Sequence, residues 1–373
     1  MNSKVALVKC ADYDSGMVIA AVKRAVDLIG GIQVFIKPSS KVLVKPNLLI
    51  AKEPEFGITT HPEVVRATIK VLKEINCDIC VGDSPSAWGN QEIALEELYS
   101  RTGMKELCRQ EDVRLVAFNK KHWKNEFPLT NWLMETDYLV NIPKFKTHQI
   151  TFLSGAVKNI FGLIPGSYKA QLHKFHFTPE EFSRMLVDLY AQVRPSLNIL
   201  DGITAIEGDG PGTSGRLRNA GLVLASSDAV ALDSVLALIM GVEPGSILTN
   251  SQAAQRGLGS NDLKDILILG ESIDNSRLKS FQFPSVPLLQ KKGVSPFLKP
   301  VLKYIKCYPY CIHQKCTRCL SCVEICPQKV ISIRKNRIVF DYKGCISCFC
   351  CQESCPFSAL KVKKSLLAKI AGL

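Results

Sequence analysis

Short apolar runs alternate with amphipathic segments along the first 270 residues. Eight runs bounded by polar or turn residues are predicted as strands; they begin at Lys4, Lys41, Asp78, Arg114, Tyr138, Leu197, Leu222 and Ile266. Segments with helical periodicity lie between them, at 17–29, 62–75, 92–102, 179–193 and 228–239. This alternation predicts an α/β domain with a largely parallel or mixed sheet, which we assign to residues 1–280.

The pattern changes after this domain. Residues 281–306 are rich in proline and lysine, which disfavours long regular elements and predicts a linker. A small module with a basic tail is predicted for residues 307–373. The leucines and lysines of the tail have the spacing of a basic amphipathic helix. We favour docking of this helix on the protein itself, and peripheral contact with an anionic membrane is the alternative.

Two blocks of cysteines in the module repeat the pattern C-x2-C-x2-C-x3-C-P, and corresponding cysteines are 29 residues apart. In such repeats three closely spaced thiolates wrap one cube, and the fourth reaches across to the other cube. A zinc site, the alternative, needs only four ligands. The spacing predicts two [4Fe–4S] clusters, one held by Cys316, Cys319, Cys322 and Cys355 and the other by Cys345, Cys348, Cys351 and Cys326.

The remaining cysteines of this region do not fit the repeat. Cys350 adjoins a predicted ligand and is interpreted as a bystander, while Cys307 and Cys311 are interpreted as packed thiols, with a third metal site as the alternative. The blocks resemble bacterial-type ferredoxins with two [4Fe–4S] clusters over about residues 307–363. The resemblance implies a small α+β ferredoxin-like module with low-potential one-electron chemistry.

The charge of the chain is concentrated in the same region. The formal net charge is +13, and residues 301–373 hold thirteen Lys and Arg against three acidic residues. This excess favours an acidic redox partner or an anionic surface, although the lysines can equally serve to solubilise the clusters. Regular basic and aromatic stripes are missing, so no nucleic-acid partner is expected.

The predicted location is the cytoplasm. The longest apolar stretch is too short for a transmembrane segment, and no secretory signal is visible. Fifteen cysteines in such a chain favour metal binding over disulfides, because cytosolic thiols are kept reduced.

Polar motifs follow several predicted strands of the large domain. The carboxyl ends of parallel strands gather at one edge of a sheet, so these side chains can converge on an anionic ligand such as a carboxylate or phosphate. The candidates are Lys45, Asn47, Lys144, Lys146, His148, Lys158 and Asn159. His148 is a candidate acid or base, because the flanking lysines favour a neutral imidazole. Scattered surface lysines and turn-forming asparagines are the alternative interpretation.

A Gly-rich acidic loop follows the strand that begins at Leu197. Its carboxylates, Asp201, Glu207 and Asp209, could bind substrate or ligate Mg²⁺, which prefers oxygen donors. A solvated turn is the alternative. No flavin motif is evident, and the acidic loop alone does not establish a Mg²⁺ site. The sequence therefore supports neither cofactor strongly.

The motifs of the large domain occur in a recognisable order. They are Lys-Pro-Asn (45–47), Thr-His-Pro (60–62), Gly-Asp-Ser (82–84), Pro-Lys-x-Lys-Thr-His (143–148), Gly-x-x-Lys-Asn-x-x-Gly (155–162), Asp-Gly-Ile (201–203) and Gly-Asp-Gly-Pro (208–211). In this order residues 3–270 resemble domain-of-unknown-function family 362. The resemblance implies an iron–sulfur protein of bacteria or archaea, frequently anaerobic, without a settled reaction.

Two functions follow from these features. The first is an oxidoreductase that passes electrons between an external low-potential carrier, of the ferredoxin or flavodoxin type, and an anionic small molecule in the N-terminal domain. It predicts a pocket on the face that the clusters approach. The second is a non-catalytic electron carrier or maturation factor that docks on an acidic protein, and it predicts no buried pocket.

Overall fold

The structure is a computed structural model that describes residues 2–84, 91–285 and 307–365. Most of the predicted linker and residues 366–373 of the predicted amphipathic tail lie outside these ranges. The helix prediction for the tail, which began at Lys361, is wrong for residues 361–364, because they form a strand.

The large domain is built on one mixed sheet, which contains ten strands among the described residues. Across the sheet the order is β12-β1-β11-β10-β7-β2-β3-β4, with β8 beside β10 and β9 beside β8; β5 and β6 form a separate hairpin. The strands of this domain are β1 (Ser3–Lys9), β2 (Lys41–Pro46), β3 (Asp78–Val81), β4 (Arg114–Leu115), β5 (Lys121–Lys124), β6 (Phe127–Thr130), β7 (Tyr138–Ile142), β8 (Lys144–His148), β9 (Phe152–Ser154), β10 (Leu197–Gly208), β11 (Gly215–Ser226) and β12 (Ile266–Gly270).

The sheet is mixed because one long antiparallel hairpin is inserted into a parallel framework. Strands β2, β3, β4 and β7 pair in parallel, as do β7 with β10 and β1 with β12. Strand β11 instead runs antiparallel to both β1 and β10. The predicted α/β class is confirmed. The prediction that Asp201 and Glu207 lie in a loop after this strand is wrong: β10 continues to Gly208 through an irregularity between Gly202 and Thr204.

Helices cover both faces of the sheet. Strand residues such as Leu7 face one apolar core, while the alternating residues Ala6 and Val8 face the other, as expected for strands buried on both sides. The helices of this domain are α1 (Ser15–Leu28), α2 (Pro62–Lys73), α3 (Gln91–Arg101), α4 (Met104–Gln110), α5 (Trp132–Glu135), α6 (Ala156–Asn159), α7 (Tyr168–Phe175), α8 (Pro179–Gln192), α9 (Ala229–Ile239), α10 (Leu248–Gln255) and α11 (Ile273–Ser276).

The C-terminal module consists of two small antiparallel sheets and two short helices. Strand β13 pairs with β16, and β14 pairs with β15. The elements are β13 (Cys307–Cys311), α12 (Ser321–Ile325), β14 (Ile331–Arg334), β15 (Arg337–Phe340), α13 (Cys350–Glu353) and β16 (Leu360–Lys364). A tight turn joins β14 to β15, and Lys335 and Asn336 in it have φ values of 45° and 60°.

The internal repeat of the module is visible in its backbone. Residues 29 positions apart share the left-handed conformation, with φ of 61° and 56° at Arg318 and Ser347, and of 66° and 59° at Leu320 and Phe349. Side chains rarely adopt this conformation without a local reason. The two cysteine loops are therefore folded alike.

The module packs directly on the sheet domain. Its apolar residues Ile325, Ile331 and Ile338 belong to the same continuous core as Phe182 and Phe161 of the large domain. Within the described residues, none of the helices has both the length and the apolar character that a bilayer crossing requires.

Candidate functional site

A cavity of about 70 Å³ lies between the sheet domain and the C-terminal module, and it has room for several water molecules or a small ligand. Strand ends and the α6 and α7 region supply most of its wall. The polar and charged lining residues from the sheet domain are Lys45, Asn47, Asp83, Ser84, Lys144, Ser154, Lys158, Asn159, Lys169 and His173. The module closes the cavity with Ile325, Cys350 and Glu353.

Five of the seven predicted anion-binding candidates line this cavity, and the other two lie beside it. Lys146 donates hydrogen bonds from Nζ to Oδ1 of Asn47 at 2.6 Å and to the carbonyl of Ile58 at 2.7 Å. His148 faces the module at Glu353. The sequence motifs therefore converge as the parallel framework predicts.

Two of the lysines already have carboxylate partners. Lys45 Nζ lies 2.8 Å from Asp83 Oδ1, and Lys144 Nζ lies 2.8 Å from Asp201 Oδ2. Lys144 also donates to the hydroxyl of Tyr13 at 2.6 Å. Burial lowers the pKa of both ammonium groups, while the paired carboxylates oppose the shift. These ion pairs form part of the cavity wall, and their carboxylates neutralise the charge of Lys45 and Lys144 that a ligand would otherwise meet.

Lys158 is different. In the described part of the chain its ammonium has no hydrogen bond or ion pair, and its contact is with the Phe161 ring, 5.8 Å from the centroid. Burial lowers its pKa, and the charge of Glu353 opposes that effect. Lys158 therefore differs from Lys45 and Lys144 in having no carboxylate at contact distance among the described residues.

The asparagines form a hydrogen-bonded chain behind the cavity. Asn47 donates to Asn159 Oδ1 at 2.8 Å, and Asn159 donates to Asn141 Oδ1 at 2.8 Å. Asn141 in turn donates to Asn198 Oδ1 at 2.9 Å. Because this chain ties β2, α6, β7 and β10 together, its main effect is to hold the cavity wall in place.

Helix α7 contributes two cavity residues that the sequence did not single out. His173 is 5% exposed, its ring stacks on Phe182 at 4.3 Å, and its Nδ1 has no partner among the described residues. Burial lowers its pKa to about 3, so the ring is neutral near pH 7. Lys169 donates to the carbonyl of Ser84, and burial lowers its pKa to about 7. In the sequence, Lys169 and His173 are four residues apart, and this spacing places two side chains on the same face of a helix.

His148 and Glu353 join the two parts of the molecule. Nδ1 of His148 accepts from the amide of Ile150 at 3.1 Å, so the proton of the neutral ring is on Nε2, which faces Glu353 Oε1 at 3.0 Å. Burial, followed by the charge of Lys158, lowers the pKa of His148 to about 4. Burial would raise the pKa of Glu353, but His148 and Lys158 outweigh it and bring the value to about 2. The pair is thus a neutral imidazole facing a carboxylate.

The three acidic candidates do not form one site. Asp201 and Glu207 are six residues apart on β10, a separation of about 20 Å. Asp209 accepts from Gln149 Nε2 and from the amide of Ser285, both at 2.9 Å. Within the residues that the structure describes, no three His, Cys, Asp or Glu side chains are arranged around a single metal ion. The Mg²⁺ interpretation therefore has no common centre to rest on.

The Gly-rich loop after β10 docks the module instead. Thr213 donates to the carbonyl of Cys355 at 2.8 Å, and Ser214 donates to the carbonyl of Leu360 at 2.7 Å. Gln352 of the module donates to the carbonyl of Asp209 at 2.9 Å. The loop thus positions the module against the cavity.

Two further cavities, of about 20 Å³ each, lie inside the module. The first is lined by Cys316, Cys319, Cys322 and Cys355, and the second by Cys326, Cys345, Cys348 and Cys351. We call these the first and second cysteine sets. Four thiols is the ligand number of a [4Fe–4S] cube, and each set takes its fourth thiol from the other repeat. The donor chemistry therefore fits the predicted clusters.

Known proteins resemble the two parts of the chain. The family model for a domain of unknown function, DUF362, matches residues 42–237, and a 4Fe-4S dicluster domain matches residues 315–359. A thylakoid-associated protein of Synechocystis sp. is 34% identical over 268 residues, which cover 70% of this chain and 81% of that protein.

A solved structure of a protein from Thermotoga maritima aligns with a TM-score of 0.37 and 12% identity, covering 66% of this chain and 60% of that chain. This likeness is too low to support an argument. The family model and the cyanobacterial relative are decisive: the chain belongs to domain-of-unknown-function family 362 and is an iron–sulfur protein with a ferredoxin-like 4Fe-4S region at its C-terminus.

Proposed function

We propose that the protein is an oxidoreductase that passes electrons, through two [4Fe–4S] clusters, between an external low-potential carrier and an anionic small molecule bound in the cavity. The observation that carries the proposal is the composition of the cavity wall. Lys158 and Lys169 come from the sheet domain, while Ile325 and Cys350 come from the module.

The second cysteine set is the one nearer the cavity. Ile325 and Cys350 line the cavity and immediately precede Cys326 and Cys351, which belong to that set. When bound, the clusters supply one-electron transfer at low potential. Each reduced carrier gives up one electron, so a two-electron reduction of the anion oxidises two carriers and takes any protons from water.

The residues of the sheet domain would bind and orient the anion. Lys158 supplies an ammonium without a competing carboxylate contact, and Lys169 lies on the same wall. The unpartnered Nδ1 of His173 is available for a hydrogen bond to the ligand. Glu353 limits the net positive charge, which favours a ligand with one or two negative charges over a polyphosphate.

The cavity also bears on the alternative function. An electron carrier or maturation factor needs a docking surface but no enclosed site between its modules. A cavity with lysines in its wall beside the second cysteine set therefore favours the enzyme. We expect the enzyme to act in the cytoplasm, and cell fractionation distinguishes this location from a membrane surface.

The test follows re-oxidation of the dithionite-reduced, iron-loaded protein by its visible absorbance. Small compounds that contain a reducible group together with a carboxylate or phosphate are mixed with wild type, Lys158→Ala and the exposed control Lys264→Ala. At least one acceptor should re-oxidise wild type and the control at least about tenfold faster than Lys158→Ala, because an ion contact is lost. If no acceptor re-oxidises the protein, or Lys158→Ala reacts like wild type, the proposal is wrong.

A further inference from the structure

One side of the module carries an exposed apolar patch that continues onto the sheet domain. Its apolar members are Phe56, Leu217, Leu320 and Phe357, which are 47%, 55%, 39% and 43% exposed. Large apolar side chains grouped at a surface mark an interaction site more often than single ones do.

Contacts show that the members are neighbours. Lys52 Nζ lies 4.7 Å from the ring centroid of Phe56 and 6.0 Å from that of Phe357, so it bridges the two parts of the molecule. Leu320 and Phe357 line the same small cavity. A Cβ placed on Gly57 would lie 2.7 Å from Cδ2 of Leu217, which puts that side chain beside the turn after Phe56. We call Lys52 and the four apolar residues the Phe56–Phe357 patch.

The patch adjoins the first cysteine set. The cavity that Leu320 and Phe357 line is the one that contains this set, and Cys319 of the set is exposed. Each set contains two buried cysteines, but the second set has no exposed one, since Cys326 and Cys345 are half-buried. Electron transfer between proteins requires close approach, so the exposed edge at Cys319 is the accessible point of entry.

The module side of the patch is basic. Arg318 lies in the cysteine loop beside Cys319 and is exposed, as is Lys315. Among the described residues of the module the exposed acidic side chains are Glu324 and Asp341, since Glu353 is buried. Such a surface attracts an acidic protein and steers its approach.

We propose that the Phe56–Phe357 patch is the docking surface for an acidic one-electron carrier protein, which exchanges electrons at the first cysteine set while the ligand is bound beside the second. One electron leaves the reduced carrier, which is oxidised, and is accepted by iron held by the first set, which is reduced. No covalent bond forms or breaks. The direction of this transfer rests on the proposed function, whereas the docking itself does not.

The test measures association and not turnover. The probe is an acidic plant-type [2Fe–2S] ferredoxin in its oxidised form, and its affinity for the full-length, iron-loaded protein is measured by surface plasmon resonance. The measurements are made at about 50 and about 300 mM salt, because contacts between exposed charges weaken with ionic strength.

Four variants separate the possibilities. Phe56→Ser and Lys52→Glu should each weaken binding by about tenfold or more at low salt, since aromatic anchors and complementary charges dominate such interfaces. Glu55→Lys, at the exposed acidic residue beside Phe56, should strengthen binding several-fold. The control Lys264→Glu, near the edge strand β12, should change binding less than about twofold.

The outcomes are distinct. Equal weakening by Lys52→Glu and Lys264→Glu would mean diffuse attraction without a docking site and would overturn the proposal. Unchanged carrier affinity in the patch variants, with a loss of self-association in sedimentation, would assign the patch to a second copy of this chain. Lys158→Ala should bind the carrier like wild type, so loss of ligand chemistry and loss of docking are separately observable.

Discussion

Glu353 of the C-terminal module and His148 of the sheet domain meet across the boundary between the two parts, with Oε1 and Nε2 3.0 Å apart. The equivalent residue of the first repeat, Glu324, is 29 positions earlier and exposed. The same residue type therefore has two roles in the two halves of the repeat. Docking on the sheet domain has broken the symmetry of the module.

We predict that Glu353→Gln weakens this docking. The variant removes the carboxylate whose charge opposes the effect of burial on Lys158, at a cost of roughly 1–3 kcal/mol in unfolding free energy. Anaerobic guanidinium unfolding followed by circular dichroism measures the change. The matched control Glu324→Gln should stay within about 0.5 kcal/mol of wild type. Equal effects of the two substitutions would contradict a role for the buried contact.

Stability should decrease as the pH falls below about 6.5, in part through His173. Its pKa is 6.5 in the unfolded chain and about 3 in the folded protein, so the unfolded state takes up a proton first. Between pH 7.0 and 5.5 this histidine alone should lower the unfolding free energy by about 1 kcal/mol.

The variant His173→Phe should remove this part of the pH dependence, because the ring stack on Phe182 accepts a phenyl ring. Unfolding free energies at the two pH values, compared with those of His313→Gln at an exposed histidine, measure the effect. If the pH dependence of the unfolding free energy is unchanged in His173→Phe, then His173 takes up a proton as readily in the folded protein as in the unfolded chain, which contradicts the prediction.

Gly162 should not tolerate a side chain. A Cβ there would lie 2.2 Å from Asp83 Oδ1 and 2.6 Å from Lys45 Nζ, so alanine must displace this buried pair. We expect Gly162→Ala to lower the unfolding free energy by about 1–3 kcal/mol. It should also reduce affinity for any anion that the cavity binds, as measured by calorimetry. Gly16→Ala in α1, where the nearest atom is 3.3 Å away, is the control and should be near neutral.

The cysteine sets make a clear prediction about Cys350 and Cys351. Only Cys351 lines a cavity with three other cysteines, whereas Cys350 faces the cavity shared with the sheet domain. Cys350→Ser should keep about eight irons per chain, while Cys351→Ser should keep about four or fewer. Iron and sulfide analysis, together with EPR of the reduced proteins, measures how many clusters each variant retains. Similar iron loss in both variants would argue against the assignment of the second set.

Sequence patterns reveal the frame of the large domain because its strands are short apolar runs with polar ends. The position of Lys45 could be predicted for the same reason, since it lies at the end of β2 and parallel strands place their carboxyl ends together. Lys158 instead reaches the cavity from helix α6, which follows the antiparallel strand β9. The cysteine spacing likewise predicts both sets, because the coordination of a cube restricts the loop.

Other features depend on tertiary contacts that no local pattern encodes. The extension of β10 to Gly208 follows from its pairing with β11. In the sequence alone, the charged Asp201 in the middle of this strand indicates that the strand ends there. The partners of Glu353 and His173 lie in distant parts of the chain. Local periodicity does not show which face of the module is covered.

The cavity has a wall that the sheet domain cannot supply. Ile325, Cys350 and Glu353 stand where they do because the cysteine loops around them are folded. Without iron, eight thiols would face two small apolar spaces, and the cysteine loops would lose the ligand bonds that help to fix their left-handed conformation. The supply of iron therefore also determines whether this wall of the cavity is complete. Under the proposed function, a chain made in an iron-poor cell would lack both its electron carriers and one wall of the proposed ligand cavity.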